Sequence, residues 1–168
     1  SDVYKRLLWD PLPFFHMSSL LPMVASMWGG AAYVSDTHFD VDRALEQIYR
    51  VEPTILFPAF PAIMGDLLSH QDFQADKMAR VRLVNNVAPA SRLLENMAQL
   101  PLAVHVSAYG LTEISGVACH GSADETDLQR AHTCGRTFEG LEARIVCPES
   151  LRELGPDEEG EIQLRGYA

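Results

Sequence analysis

Short apolar runs alternate with segments of helical periodicity along the first two thirds of the sequence, and this alternation constrains the fold most. Strands are predicted at residues 5–9, 31–34, 54–57, 81–84 and 104–106. Segments of about ten residues with apolar positions at helical spacing separate them. Strands that alternate with helices in this way form a mainly parallel sheet covered by helices. The sequence therefore predicts a three-layer α/β fold.

The helices are predicted from their start signals as well as from their periodicity. Asp40 is a helix N-cap, and Pro61 and Pro89 stand where proline favours the first turn of a helix. Four positions of the last of these helices are predicted to face inward, namely Leu93, Leu94, Met97 and Leu100.

The longest apolar run, residues 20–34, is predicted to form a buried helix and a strand. Ser26 and the Gly29-Gly30 pair interrupt it, and it is shorter than the ~20 residues that a membrane span needs. The helix is expected to carry one apolar stripe, made of Met17, Leu20, Leu21, Val24 and Met27.

The pattern changes after about residue 133. Leu141–Val146 and Gly160–Arg165 are predicted strands with a turn-rich segment and no helix between them, which is typical of an antiparallel hairpin. We therefore divide the chain into an α/β core, residues 1–133, and a β-rich segment, residues 134–168. The second part is expected to belong to an adjoining β subdomain of a larger protein.

Charge and cysteine usage exclude several classes of protein. The formal net charge is −10, so the surface as a whole is expected to repel nucleic acid. The three cysteines are odd in number and form no Cys-x-x-Cys pair, which favours free thiols in the cytoplasm over a zinc or disulfide framework. The six histidines are equally dispersed.

The segment Ser107–Glu113, Ser-Ala-Tyr-Gly-Leu-Thr-Glu, follows the fifth predicted strand directly. Ligands of α/β sheets bind beyond the carboxyl ends of strands, so this segment is well placed for a nucleotide. Tyr109 offers a stacking face, Gly110 permits close backbone approach, Thr112 offers a donor to phosphate, and Glu113 offers a ligand for Mg²⁺. An ordinary turn with a satisfied threonine and a solvated glutamate is the alternative.

The same segment resembles the Tyr-Gly-x-Thr-Glu signature of the adenylate-forming, or AMP-binding, superfamily. Three further segments of the chain resemble family motifs and occur in the family's order. They are Pro11–His16, which is similar to Pro-Leu-Phe-His; Val84–Ala90, which is similar to a Gly-Gly-Ala-Pro loop; and Gly135–Val146 with Gly160–Gly166, which resembles the β region that follows.

The resemblance implies an ATP-dependent acyl-CoA synthetase. Such enzymes join a carboxylic acid to ATP, release pyrophosphate and pass the acyl group to coenzyme A. It implies catalytic roles for Thr112 at the α-phosphate and for Glu113 as the Mg²⁺ ligand. The remaining expected contacts are adenine stacking by Tyr109, cofactor binding by Ala88, Pro89, Gly110 and Thr112, and substrate binding by Phe15, His16 and Val87.

The chain departs from the family pattern at Asn86-Val87, where the family commonly has a glycine pair. A bulkier pocket wall is expected there, with Val87 reshaping the acyl slot. The family's phosphate loop and its lysine-bearing C-terminal domain have no match in these residues, so the isolated piece is expected to be inactive.

Two alternative functions and two open points remain after the sequence analysis. An adenylation domain that loads a carrier protein shares the signature, and a non-catalytic nucleotide-sensing or interaction module keeps the scaffold without activity. Apolar Phe14, Phe15, Met17 and Val87 favour an aliphatic or aryl acid. Formation of a homo-oligomer by the whole protein stays open.

Overall fold

The computed structural model describes residues 6–167 of the 168-residue chain. Its strands, β1 to β10, are Leu7–Trp9, Ala32–Val34, Ile55–Ala59, Leu83–Asn86, Val104–Val106, Ala108–Tyr109, Cys119–His120, Arg136–Thr137, Glu142–Val146 and Glu161–Arg165. Its α-helices, α1 to α5, are Met17–Trp28, Val41–Val51, Pro61–Ser69, Ala90–Gln99 and Asp127–His132. Two 3-10 helices cover Ala75–Met78 and Thr112–Ile114.

The first five strands form one parallel sheet in the order β2-β1-β3-β4-β5. Helices flank this sheet, which confirms the three-layer α/β prediction. The chain runs outward from β1 to β2 and then returns across β1 to β3. The direction of winding therefore reverses between β1 and β3, and a crevice opens at the carboxyl ends of strands beside such a switch point.

The main apolar core lies between this sheet and the helices α2 and α3. Its fully buried members include Trp9, Ile48, Leu56, Met64 and Val84. The N-cap prediction for α2 is confirmed, because the Asp40 carboxylate accepts a hydrogen bond of 3.0 Å from the Arg43 amide. This packing fixes the sheet from whose carboxyl edge the connecting loops project.

Helix α1 differs from the prediction of a buried helix. Its buried residues are Ser19, Pro22 and Ser26, whereas its apolar stripe includes exposed Leu20, Val24 and Met27. The prediction was wrong because periodicity shows which residues share a face and not which face meets the sheet. In residues 6–167, no helix is long and apolar enough to cross a membrane.

Two other predictions needed correction. Leu94 is 38% exposed, unlike the buried Leu93, Met97 and Leu100; it lies one position beyond the face of α4 that packs inward. Strand β4 begins at Leu83 and not at Val81, because the Val81 amide instead donates to the Met78 carbonyl at the end of a 3-10 helix. Of the first predicted strand, Lys5 lies outside the described residues.

The region after β5 contains elements that the sequence pattern did not predict. Strands β6, β7 and β8 form an antiparallel sheet that runs from Ala108 to Thr137. The short helix α5 begins with a capping box between Thr126 and Gln129. The predicted hairpin is confirmed, since β9 and β10 pair antiparallel, with Glu161 opposite Val146.

Candidate functional site

A cavity of about 880 Å³ lies at the carboxyl ends of the parallel strands. Segments that follow β1, β3, β4 and β5 all contribute to its wall. The lining residues are Pro13, His16, Met17, Ser18, Phe57, Ala59, Phe60, Pro61, Asn85, Val87, Ala88, Pro89, Ala108, Tyr109, Gly110, Leu111, Thr112, Gly116 and Val117. The cavity therefore includes the switch point of the sheet, and its volume falls within the range of small-molecule sites.

Seven of the nine residues predicted for the site line this one cavity: Ala88, Pro89, Tyr109, Gly110, Thr112, His16 and Val87. Phe15 and Glu113 do not. Phe15 is 84% exposed, and its ring lies 4.6 Å from the His16 ring, centroid to centroid. Glu113 is exposed and follows Thr112 within a 3-10 helix, next to the cavity wall.

The loop after Tyr109 folds back on itself, and this explains Gly110 differently from the sequence argument. A Cβ atom at Gly110 would lie 1.8 Å from the carbonyl oxygen of Gly116. No side chain fits there, so the glycine is required by the loop's own backbone. The amide of Gly116 donates to the Leu111 carbonyl at 3.1 Å, which closes the loop that presents Thr112.

A buried polar network holds the segment that leads to His16. Asp10 is fully buried; its Oδ1 accepts from the Leu12 amide at 2.8 Å, and its Oδ2 accepts from the Tyr33 hydroxyl at 2.8 Å. The Tyr33 and Ser19 hydroxyls share a hydrogen bond of 2.7 Å. Burial raises the pKa of the Asp10 carboxyl to about 6, although hydrogen bonds from Leu12 and Tyr33 act to lower it.

The wall between β4 and α4 differs from the one expected at Asn86-Val87. Val87 lines the cavity and is 41% exposed. Asn86 is fully buried and does not line the cavity, and no described residue donates to or accepts from its amide. The bulkier wall is therefore made by Val87 and not by Asn86.

Asn85 is a cavity residue that the sequence analysis did not identify. It lines the cavity, and its Nδ2 lies 3.0 Å from Nε2 of His120 on strand β7. Strand alternation gives the signal that was missed: Val84 is in the core, so Asn85 and Val87 belong to the other face.

The sequence model of the "AMP-binding enzyme" family matches residues 3–168. The chain belongs to this family. That membership confirms the resemblance drawn from the four ordered motifs.

Curated relatives of the chain are CoA ligases. It is 31% identical over 161 residues to 4-coumarate–CoA ligase 3 of Oryza sativa subsp. japonica, covering 92% of this chain and 29% of the relative. It is 28% identical over 162 residues to the mitochondrial medium-chain acyl-CoA ligase ACSF2 of Mus musculus, covering 94% of this chain and 26% of the relative. The chain thus spans less than a third of the length of these relatives.

Solved structures of adenylate-forming enzymes share the fold. ATP-bound MatB from Rhodopseudomonas palustris superposes with a TM-score of 0.83 at 22% identity, covering 96% of this chain and 32% of that one. The long-chain-fatty-acid-CoA ligase FadD1 from Archaeoglobus fulgidus gives a TM-score of 0.78 at 22% identity, with coverage of 96% and 34%. At this identity the likeness shows the fold alone.

The residues at the cavity suit the ligands that the family name implies. An aromatic side chain, Tyr109, and a hydroxyl, Thr112, line the same cavity, as a base and a phosphate require. Mg²⁺ is usually held by one or two carboxylates, by water and by substrate phosphates. The exposed carboxylate of Glu113 beside Thr112 fits that donor set.

Proposed function

We propose that the chain forms part of the nucleotide and acyl pocket of an AMP-forming acid-thiol ligase that makes acyl-CoA. The whole protein joins a carboxylic acid to ATP, which gives an acyl-adenylate and pyrophosphate, and then transfers the acyl group to coenzyme A. The observation that carries the proposal is the single cavity shared by His16, Val87, Pro89, Tyr109 and Thr112.

The proposed roles are those that the family resemblance implies, and the position of each group at the cavity supports them. Tyr109 stacks on adenine, which Ala88 and Pro89 border, and Thr112 donates to the α-phosphate. Glu113 reaches Mg²⁺ from the rim of the cavity, where the cation offsets charge on the phosphate oxygens. His16, with Phe15 beside it, lies toward the acyl group.

The cavity wall supports an acid with an uncharged, apolar acyl group. Phe57, Phe60, Pro61 and Val87 line it, and the described lining residues include no Asp, Glu, Lys or Arg. A second carboxylate on the substrate would find no cation there to offset its desolvation. An aliphatic or aryl acid is therefore the proposed substrate class.

Pyrophosphate exchange by the whole protein, driven by an aliphatic or aryl acid, tests this function. We expect exchange in the wild type and a loss of about 100-fold in Glu113→Ala, the size typical for removing one group that stabilises transition-state charge. Glu46→Ala, on the exposed face of α2, is the matched control and is expected to leave the rate unchanged. Absence of exchange with every acid tried would refute the proposal.

Two alternatives are separated by further measurements. Offering the activated protein coenzyme A or a phosphopantetheinylated carrier protein identifies the acceptor thiol; the names of the relatives favour coenzyme A. A nucleotide-sensing module would bind ATP and release no pyrophosphate. Asn86 gives that alternative little support, because it does not line the cavity.

We also propose the division at residue 133, with residues 134–168 in an adjoining β subdomain. The separate two-stranded sheet of β9 and β10 supports it. Strand β8 nevertheless pairs with β7 across this division. Cytoplasmic location, homo-oligomer formation and the inactivity of the isolated chain stay predictions.

A further inference from the structure

The hydrogen bond between His120 and Asn85 determines which atom of the Asn85 amide is left for a ligand. Nδ1 of His120 lies 2.8 Å from the carbonyl oxygen of Gly121. A carbonyl oxygen only accepts hydrogen bonds, so Nδ1 must carry the proton. In the neutral form of the ring, which has one N–H group, Nε2 is then an acceptor.

The amide of Asn85 then has one orientation that satisfies the histidine. Its Nδ2 donates to Nε2 over 3.0 Å, because the opposite orientation would place two acceptors against each other. The Oδ1 atom is thereby directed away from His120. Asn85 is 3% exposed, and it borders the cavity.

The Oδ1 atom receives no hydrogen bond from the part of the chain that the structure describes, and it is not sealed from solvent as the amide of Asn86 is. Its remaining accessible surface belongs to a residue that lines the cavity. A nearly buried acceptor costs free energy until it finds a donor, since its desolvation is otherwise uncompensated.

The histidine itself is held in place. His120 lies on β7, between Ala108 of β6 and Arg136 of β8. Its ring stacks on Phe138, with centroids 6.3 Å apart and an angle of 22° between the planes. The antiparallel sheet thus orients a group on the parallel sheet, at the point where the two meet.

We propose that Asn85, oriented by His120, is a specificity-determining residue that accepts a hydrogen bond from an N–H or O–H group of the bound ligand. This inference depends on the proposed function, because that function supplies the ligands. Two groups have the required chemistry: the exocyclic amine of adenine and a hydroxyl on the acyl group. In this role His120 is a positioning residue.

Equilibrium binding to the whole protein tests the proposal and does not need turnover. The probes are two matched pairs: AMP against purine riboside monophosphate, which lacks the amine, and 4-hydroxycinnamate against cinnamate, which lacks the hydroxyl. In the wild type we expect the donor-bearing member of one pair to bind about five- to tenfold more tightly, the worth of one hydrogen bond.

Variants assign that preference to the amide. Asn85→Leu is expected to abolish it, and His120→Leu to weaken it, because the amide is then free to rotate. His120→Gln keeps an acceptor for Nδ2 and is expected to restore the preference. Asn86→Val removes the neighbouring amide, which does not line the cavity. This control variant is expected to keep the wild-type preference.

Each outcome decides the proposal. A preference lost from the AMP pair identifies the adenine amine, and one lost from the cinnamate pair identifies a substrate hydroxyl. Equal binding within both pairs in the wild type, or an unchanged preference in Asn85→Leu, overturns the proposal. Pyrophosphate exchange measured alongside tests the catalytic function separately, so a failure of one is distinguishable from a failure of the other.

Discussion

Two regions of the same parallel sheet differ in how completely their apolar side chains are buried. The core beneath α2 and α3 is apolar, with Trp9, Ile48, Leu56 and Val84 almost completely removed from solvent. The wall of the cavity instead contains apolar side chains that stay partly exposed, such as Phe60 and Val87. The first region stabilises the fold through burial, and the second keeps apolar surface available for a ligand.

Polar groups follow the same division. Asp10 and Asn85 are buried at the carboxyl ends of strands, and each has hydrogen-bond partners in the segments around the cavity. Buried polar groups at this edge therefore hold neighbouring segments of the chain in place, whereas the main core cluster is apolar. Three measurements test this difference between the core and the cavity wall.

The largest expected effect is the pH dependence that Asp10 gives to stability. Its pKa in the folded chain is raised to about 6 from an ordinary value of 3.8, so the folded state holds the proton more tightly than the unfolded state. The stabilisation is complete below pH 3.8 and is lost as the pH rises through about 6. A difference of this size corresponds to about 3 kcal/mol in the free energy of unfolding.

Urea unfolding of the wild type and of Asp10→Asn between pH 4 and 7 measures this dependence. The difference between the two isolates Asp10 from carboxylates such as Asp36, whose pKa is lowered, chiefly by a hydrogen bond from the Thr37 amide, and whose effect has the opposite sign. Equal slopes in both proteins would show that Asp10 is not protonated on folding.

The second effect compares two valines at the same strand end. Val84 is fully buried and Val87 is 41% exposed in the cavity wall. We expect Val84→Ala to lower the free energy of unfolding by about 2–3 kcal/mol, and Val87→Ala by less than about 1 kcal/mol, because only the first leaves a cavity in packed core. Similar losses at both positions would contradict the division between core and wall.

The smallest effect concerns Asn86, an exception to the apolar core. Both atoms of its amide are buried without a hydrogen-bond partner among the described residues. We expect Asn86→Val to raise the free energy of unfolding by about 1 kcal/mol, since it removes an uncompensated amide from a strand that favours β-branched side chains. A loss of stability measured by urea unfolding would show that the amide has a structural partner.

The pattern of apolar residues was enough to predict the parallel sheet, four of its flanking helices and the terminal hairpin. Local signals such as Asp40 before α2 and Pro61 at the start of α3 depend on neighbouring residues, so they are visible in the sequence. The strands β6, β7 and β8 were missed because they are two residues long and are defined by pairing between distant segments.

The candidate site was likewise predicted only in part. Tyr109 and Thr112 were found because they lie in one loop with a recognisable signature, and the structure places both at the cavity. Asn85 was missed because its importance depends on His120, 35 positions away along the chain. Periodicity also could not predict that the apolar stripe of α1 is largely exposed, or that Leu94 is exposed.

Sequence alone therefore determined the family, the order of the elements and most of the residues at the carboxyl edge of the sheet, since these depend on local composition and short motifs. Tertiary structure decided which face of each element is buried, which of Asn85 and Asn86 lines the cavity, and which atom of the Asn85 amide is paired with His120. Those choices depend on contacts between residues far apart in the chain, and only the folded arrangement brings them together.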